Sequence, residues 1–233
     1  MFGTLSGEMA FFLVMLVSMF TVSVGAAKGK EWLHMSICLL ILVTTFTAGK
    51  MVEVFGYTAS IATPIYAGIF LATDALHEYY GSDEAKRGVM LGFFCMLIAT
   101  FLGQLIVAYP ALENDSVGAG LESVLGFLPL LFIGSSLAYI ISQRLDVFLF
   151  GWFKNRYPQG RLLFVRNNLS TIVSQLVDSV IVYSIAFYAV PQLSNIILTA
   201  WIFKVFVAFC DTPFLYAIGH LSDIKNNEVK LDN

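Results

Sequence analysis

The chain has 233 residues, of which 58% are hydrophobic and only 12% are charged, and its mean hydropathy is +0.79. Soluble domains of this size carry about twice that share of charged residues, so the composition excludes a soluble globular protein and indicates one that lies in a lipid bilayer. The net charge of -3 is small, and no basic patch with interleaved aromatics favours nucleic acid as a partner.

Long apolar segments follow one another along the chain, with short loops between them. A span needs about 20 apolar residues, and each span is expected to be a helix because lipid offers no partner for unpaired backbone groups. The sequence therefore predicts an all-α, polytopic helical membrane protein with six to seven transmembrane helices, forming one domain over residues 1–233. The seven candidate spans are roughly 9–27, 32–49, 58–77, 88–109, 123–146, 168–190 and 194–219.

The charges in the loops predict the orientation. Eleven of the 13 lysine and arginine residues fall on one side of a seven-span arrangement, whereas the loops around 110–122 and 191–194 contain none. The positive-inside rule then places the N-terminus outside and the C-terminus in the cytoplasm. Lys50 and Lys204 are the exceptions, and each has to be held by another group.

Three ionisable residues lie at the end of the third span. Asp74 and Glu78 are four residues apart and share a helix face, with His77 beside them. Ionisable groups at this depth mark function by default. One interpretation pairs Glu78 with Arg87, which opens the fourth span, so that the ion pair fixes the hairpin between the two spans. The other makes this cluster an inner gate or proton-coupling site.

The sixth span carries one polar stripe on an otherwise apolar helix. Thr171, Ser174, Gln175 and Asp178 are spaced i, i+3, i+4 and i+7 and therefore share a face. Small polar residues also join transmembrane helices to one another, and that interpretation stays open for Thr171 and Ser174. A carboxylate such as Asp178 is costly in lipid, which favours a ligand-binding role.

The seventh span carries Lys204 and Asp211, two turns apart on one face. Lys204 is interpreted either as the counter-ion of Asp178 or Asp211, or as a ligand-binding residue, and the two roles are compatible. Pro213 removes a helix hydrogen bond and frees a carbonyl near Asp211.

Motifs of catalysis and metal binding are missing from the sequence. It contains no HExxH and no Gly-x-Ser-x-Gly, and its histidines and cysteines lie scattered over the spans. We therefore predict that the chain is not an enzyme and that it needs no cofactor and no metal. The scattered residues are His34, His77, His220, Cys38, Cys95 and Cys210.

The order and spacing of these polar residues resemble the queuosine precursor transporter family, also described as vitamin-uptake-transporter-like. The likeness covers about residues 45–216, and the first span carries no such motif. Where the family commonly has asparagine, this chain has His77. The residues that carry the resemblance are Lys50, Thr73, Asp74, Glu78, Tyr80, Gly81, Ala85, Arg87, Ser136, Ala138, Tyr139, Asp146, Arg166, Ser170, Thr171, Gln175, Asp178, Lys204, Thr212, Pro213 and Tyr216.

The resemblance implies a fold like that of the substrate-binding subunits of energy-coupling-factor transporters, in a bacterial inner membrane. It also implies uptake of queuosine precursors, which are deazaguanine bases. A carboxylate accepts from the ring N–H and the amine of such a base together, so Asp178 with Gln175 is the candidate reader of that edge. Asp211 or Glu78 is the candidate partner for the aminomethyl cation of one precursor.

The resemblance leaves two modes of transport open. The favoured one is a solitary secondary carrier, and the alternative is the substrate-binding membrane subunit of an ATP-driven uptake system. Besides the deazaguanine and the lipid bilayer, a homo-oligomeric assembly stays open. The candidate substrate-binding residues are Thr171, Ser174, Gln175, Asp178, Lys204 and Asp211, and the candidate gating or coupling residues are Lys50, Asp74, Glu78 and Arg87.

Overall fold

The computed structural model of the chain describes residues 6–110, 112, 115–156, 163–207, 210, 214 and 217–218. The side chains of residues 146, 147, 150, 154, 155, 163–168 and 171 lie outside that description.

Within these ranges the chain is mostly helical. Three segments are long and apolar enough to cross a membrane, namely α1 (Gly7–Ala26), α4 (Ser82–Val107) and the stretch Gly118–Leu145 of α5 (Gly118–Arg156). Two further stretches are apolar but shorter, namely Ile172–Ala186 of α6 (Leu163–Ala186) and all of α7 (Leu193–Val207). The predicted helical membrane protein is therefore confirmed, while the number of spans stays a prediction. The elements are α1 (Gly7–Ala26), α2 (Lys30–Thr47), β1 (Met51–Val54), β2 (Tyr57–Ser60), a 3-10 turn (Thr63–Ile65), α3 (Tyr66–Tyr80), α4 (Ser82–Val107), α5 (Gly118–Arg156), α6 (Leu163–Ala186) and α7 (Leu193–Val207).

A short antiparallel hairpin between α2 and α3, which the sequence did not predict, interrupts the otherwise helical fold. Strands β1 and β2 pair from Met51 opposite Ser60 to Val54 opposite Tyr57. The two turn residues, Phe55 and Gly56, have φ angles of 52° and 77°, as a two-residue type I′ turn requires. The Glu8 carboxylate at the start of α1 accepts a hydrogen bond from the Phe55 N–H at 3.0 Å, so α1 holds the tip of the hairpin.

The predicted third span, 58–77, is therefore wrong at its start. Its first residues form β2, and α3 begins only at Tyr66, after a 3-10 turn that contains Pro64. Proline fixes φ and lacks the backbone donor, so it suits the first turn of a helix and not its interior. The 15 residues of α3 extend about 22 Å, which is shorter than the hydrocarbon core of about 30 Å.

The predicted fifth span, 123–146, lies within a longer helix, because α5 has 39 residues and extends about 58 Å, while its apolar stretch is Gly118–Leu145. Pro129 lies inside this helix and cannot donate to the carbonyl four residues earlier, that of Leu125. The amide of Gln104 on α4 donates to that carbonyl at 2.8 Å. The side chain thus replaces the missing backbone bond, as a proline within a membrane helix requires.

Two groups of buried apolar residues fill the interior. The first lies among α1, α2 and α3 and includes Met19, Leu33 and Leu71, while the second joins α5, α6 and α7 through residues such as Leu131 and Ile196. Tyr66 packs against both groups. The junction between the two groups, at the start of α3, is therefore the place where a cavity can form.

Candidate functional site

A cavity of about 250 Å³ lies among α2, α3, α4, α5, α6 and α7. Its wall is mainly apolar, with a few polar groups, which is the usual composition of a site for a small organic molecule. The lining residues are Ile37, Ile41, Ala48, Ser60, Ala62, Thr63, Tyr66, Ile69, Phe70, Thr73, Val89, Gly92, Phe93, Met96, Leu131, Ser135, Tyr139, Ser142, Gln143, Gln175, Asp178, Val182, Tyr183, Phe187 and Lys204.

An ion pair between α6 and α7 supplies the charge in this wall. The Lys204 ammonium donates to Oδ2 of Asp178, and the two side chains are only 9% and 18% exposed. The Ser142 hydroxyl of α5 lies 3.5 Å from Oδ1 of the same carboxylate, and the Lys204 ammonium lies 5.9 Å from the centre of the Tyr66 ring. Four helices thus meet around this ion pair, and the two oxygens of its carboxylate keep further acceptor positions.

Aromatic rings form much of the remaining wall. Tyr183 stacks on Phe187 with ring centres 5.0 Å apart. The rings of Tyr66 and Phe70 are 6.0 Å apart and tilted by 31°. Because such rings offer flat apolar faces, the cavity suits a flat ligand that also carries hydrogen-bond donors for the carboxylate.

Three of the predicted substrate-binding residues line the cavity together, namely Gln175, Asp178 and Lys204. Ser174 is buried on α6 but does not line the cavity. The predictions for Asp211 and for the side chain of Thr171 lie outside the described residues. Of the two counter-ions proposed for Lys204, Asp178 holds its ammonium in the structure.

The predicted gating residues lie away from the cavity wall. Asp74 follows the lining residue Thr73 but is exposed, and Glu78 is exposed one turn further along α3. Lys50 is also exposed, at the end of α2. None of these residues lines the cavity, although Asp74 is next to Thr73 and Lys50 is two residues from Ala48, both of which do.

The predicted ion pair between Glu78 and Arg87 is wrong, because Arg87 has a different acidic neighbour. Arg87 approaches Glu84 at 4.0 Å on its own helix, and within the described residues no ion pair joins it to Glu78. Glu84 in turn accepts from Lys30 of α2 at 2.9 Å and lies 3.4 Å from His34 Nε2. Glu84 is one helical turn from Arg87 and faces α2, which explains why it replaces Glu78.

Sequence reasoning missed the contribution of the segment 60–66 and part of that of α5. On α5, Tyr139, Ser142 and Gln143 line the cavity, and their spacing on an apolar helix was the signal that could have identified them. Thr63 and Tyr66 carry no such signal, because each is a single residue in a segment that reads as one apolar span.

Comparison with known proteins gives a consistent set of relatives. A family described as "Putative vitamin uptake transporter" matches residues 60–218. A Bacillus subtilis (strain 168) protein named "Probable queuosine precursor transporter" is 37% identical over 203 residues, 86% of this chain and 88% of its own length. The Escherichia coli (strain K12) "Queuosine precursor transporter" is 25% identical over 166 residues, 71% of this chain and 72% of its own length.

A Haemophilus influenzae protein, also named "Probable queuosine precursor transporter", is 29% identical over 137 residues, 58% of this chain and 54% of its own length. No solved structure matches the chain. These relatives are transporters and not enzymes. Because the family match covers well over half of the chain and the B. subtilis relative aligns over most of both sequences, the chain belongs to the vitamin-uptake-transporter-like family, the queuosine precursor transporters.

Proposed function

We propose that the chain imports queuosine precursors, which are deazaguanine bases, into the cytoplasm as a solitary carrier of the bacterial inner membrane. The observation that carries this proposal is the Asp178 carboxylate, held by Lys204 in the wall of an aromatic-lined cavity. The names of the B. subtilis and E. coli relatives support the same class of substrate.

The chemistry of the cavity fits the edge of such a base. Its ring N–H and exocyclic amine donate side by side, and a carboxylate accepts both at once. Gln175 lies one turn before Asp178 on the same face of α6 and lines the same cavity. Its amide both donates and accepts, so it meets the carbonyl of the base while Asp178 takes the two donors and the aromatic wall stacks on the ring.

Lys204 has the role of counter-ion in this proposal. A carboxylate out of water is costly unless it is paired and hydrogen-bonded, and Lys204 with Ser142 supplies both a charge and a hydrogen bond. We assign an inner gate or coupling site to Asp74 and Glu78. Both lie on α3, after its last cavity-lining residue, Thr73.

The proposed orientation has the N-terminus outside and the C-terminus in the cytoplasm. The continuous helix α5 supports it, because this helix separates the acidic segment around Asp115 from the basic end around Arg156. The starts of α2 and α4 are in contact through Lys30 and Glu84, which supports their lying on the same side of the membrane. Single cysteines placed at Asp115 and Arg156 should react with an impermeant thiol reagent from opposite sides, and labelling from one side would reject the orientation.

Transport itself is tested in cells that lack both their own precursor synthesis and any other importer. Expression of the chain should restore uptake of labelled precursor, whereas the Asp178→Asn variant should not. Purified protein in liposomes, with no ATPase present, should then show precursor uptake. Binding without uptake in liposomes, together with an ATPase that copurifies from cells, would favour the substrate-binding subunit of an ATP-driven system instead.

A further inference from the structure

The geometry points to Thr63 as a residue that determines which queuosine precursor the cavity prefers, an inference that rests on the proposed function. Its hydroxyl is the proposed hydrogen-bond partner of the substituent on the five-membered ring of the base. That substituent lies at the other end of the molecule from the edge assigned to Asp178 and distinguishes the precursors from one another.

The Thr63 hydroxyl is buried without a hydrogen-bond partner, and it belongs to a residue of the cavity wall. In the part of the chain that the structure describes, five buried side-chain atoms make no hydrogen bond, and they belong to Thr44, Thr63, Glu84, Ser136 and Ser179. Of these five residues, Thr63 alone lines the cavity. A buried hydroxyl without a partner costs free energy, and a ligand that supplies the partner removes this cost.

The local structure fixes Thr63 at the cavity wall. It is the first residue of the 3-10 turn, is 3% exposed, and follows a loop that is pinned by Ser60, whose hydroxyl donates to the Ala48 carbonyl at 2.7 Å and accepts from the Ala62 N–H at 3.2 Å. The neighbouring hydroxyl of Ser60 is thus already occupied, whereas that of Thr63 is not. The backbone is therefore held and the hydroxyl is left for a ligand.

Tyr183 places this hydroxyl relative to the ion pair. Its phenol neighbours the Thr63 hydroxyl as a hydrogen-bonding group and feels the charge of Asp178, although the contact with Thr63 does not reach the geometry of a normal hydrogen bond. Tyr183 is five residues beyond Asp178 on α6, a rise of about 7.5 Å. Asp178 and Thr63 are thus two separate polar positions among those of the cavity wall, which suits a flat base with donors on one ring and a polar substituent on the other.

The test compares two ligands on matched variants. The ligands are 7-deazaguanine, which has no substituent on the five-membered ring, and the aminomethyl-bearing precursor. Thr63→Val keeps the shape of the side chain and removes the hydroxyl, while Thr63→Ser keeps the hydroxyl. Thr44→Val is the matched control, since the Thr44 hydroxyl is equally buried and unsatisfied but lies outside the cavity wall.

We expect Thr63→Val to weaken binding of the aminomethyl precursor about tenfold, the scale of one hydrogen bond to a charged group, and to leave 7-deazaguanine binding within about twofold. Thr63→Ser and Thr44→Val should bind both ligands like the wild type. The thermal midpoint without ligand should change little in Thr63→Val, because the hydroxyl it removes makes no hydrogen bond of normal geometry. If Thr63→Val cannot be purified, Thr63→Ala measured against Thr63→Ser makes the same comparison.

Equal loss for both ligands, or no loss for either, would overturn the assignment of Thr63. A wild-type protein that binds neither ligand would instead reject the proposed function, so the two failures are distinguishable.

Discussion

Two ion pairs connect helices that are distant in sequence, and their surroundings differ. Lys204 and Asp178 join α7 to α6 with 9% and 18% of their side chains exposed, whereas Lys30 and Glu84 join α2 to α4 with 39% and 21% exposed. The first pair lies in the cavity wall beside Tyr66. The second lies at the two helix starts.

The difference teaches what each pair can do. Several charges share the carboxylate of the second pair, since Glu84 also faces His34 and Arg87, and the Lys30 side chain is 39% exposed. In the cavity wall each charge depends on the other, because a lone charge out of water is costly. A pair of the first kind is sensitive to any ligand that competes for the carboxylate, and a pair of the second kind acts as a tie between helices.

The largest expected effect comes from breaking the buried pair. Lys204→Met leaves the Asp178 carboxylate without its counter-ion, which typically costs about 3–5 kcal/mol. We expect lower expression, a lower thermal midpoint in detergent and no transport. Lys86→Met is the control, because Lys86 pairs with Asp83 at 3.2 Å but is 73% exposed, and it should change none of these.

A double variant, Lys204→Met with Asp178→Asn, identifies the partner. It should recover stability, since no charge stays unpaired, but not precursor binding. A Lys204→Met protein that is stable alone and still fails to bind would make the lysine a ligand contact instead.

The next largest effect is expected on affinity. Asp178→Asn keeps the shape of the side chain but turns one acceptor into a donor, so precursor binding should weaken by more than about 1.5 kcal/mol, which is more than about tenfold. The thermal midpoint should fall as well, because Lys204 loses its counter-ion. Calorimetry on the purified variant measures this, with the thermal midpoint recorded alongside. Ser179→Ala, at the adjacent buried position outside the cavity wall, is the control, and an unchanged affinity in Asp178→Asn would show that the carboxylate is structural.

Asp178 and Lys204 show which parts of the site the sequence predicts and which it does not. Both could be selected without a structure, because a charge in an apolar span is too costly to be incidental. Their pairing could not, since Asp178 and Asp211 were equally available on the sequence and the choice depends on how α6 packs against α7. Helix packing is set by many small contacts that a single periodic pattern does not encode.

The segment 51–66 shows what hydropathy misses. Averaged over a window, its apolar residues continue into α3 as one span, although the Phe55–Gly56 turn and Pro64 divide it into a hairpin and a turn. Thr63 and Tyr66 stand on this segment, which is why the cavity wall they form was not predicted. The long α5 shows a different limit of hydropathy, because the apolar stretch ends at Leu145, close to the predicted 146, whereas the helix continues to Arg156.

A smaller effect is expected from the partly exposed cluster around Glu84. Glu84→Gln removes the carboxylate that Lys30, His34 and Arg87 share, and it should lower the thermal midpoint by less than Lys204→Met does. The shift should shrink at high salt, because exposed charges are screened. Asp83→Asn is the control. It removes the other acid of the first turn of α4, so it causes the same loss of interaction with the helix dipole. If Glu84→Gln lowered the thermal midpoint no more than Asp83→Asn does, Glu84 would not connect α2 to α4.

The smallest effect on binding, and the most informative one for transport, is expected at Glu78. This side chain is exposed on α3, beyond the end of the cavity wall at Thr73, so Glu78→Gln should leave precursor affinity unchanged. If the carboxylate belongs to a gate or coupling site, uptake should slow and its pH dependence should flatten, because an amide does not change its charge with pH as a carboxylate does. The matched control is Glu53→Gln, at an exposed acid of β1 on the hairpin. The measurements are uptake into liposomes across a pH series and equilibrium binding.

Parallel loss of binding and uptake in Glu78→Gln would place Glu78 at the ligand. Normal uptake at every pH would discard the gate and leave Glu84, through its contact with α2, as the carboxylate that organises this end of the molecule.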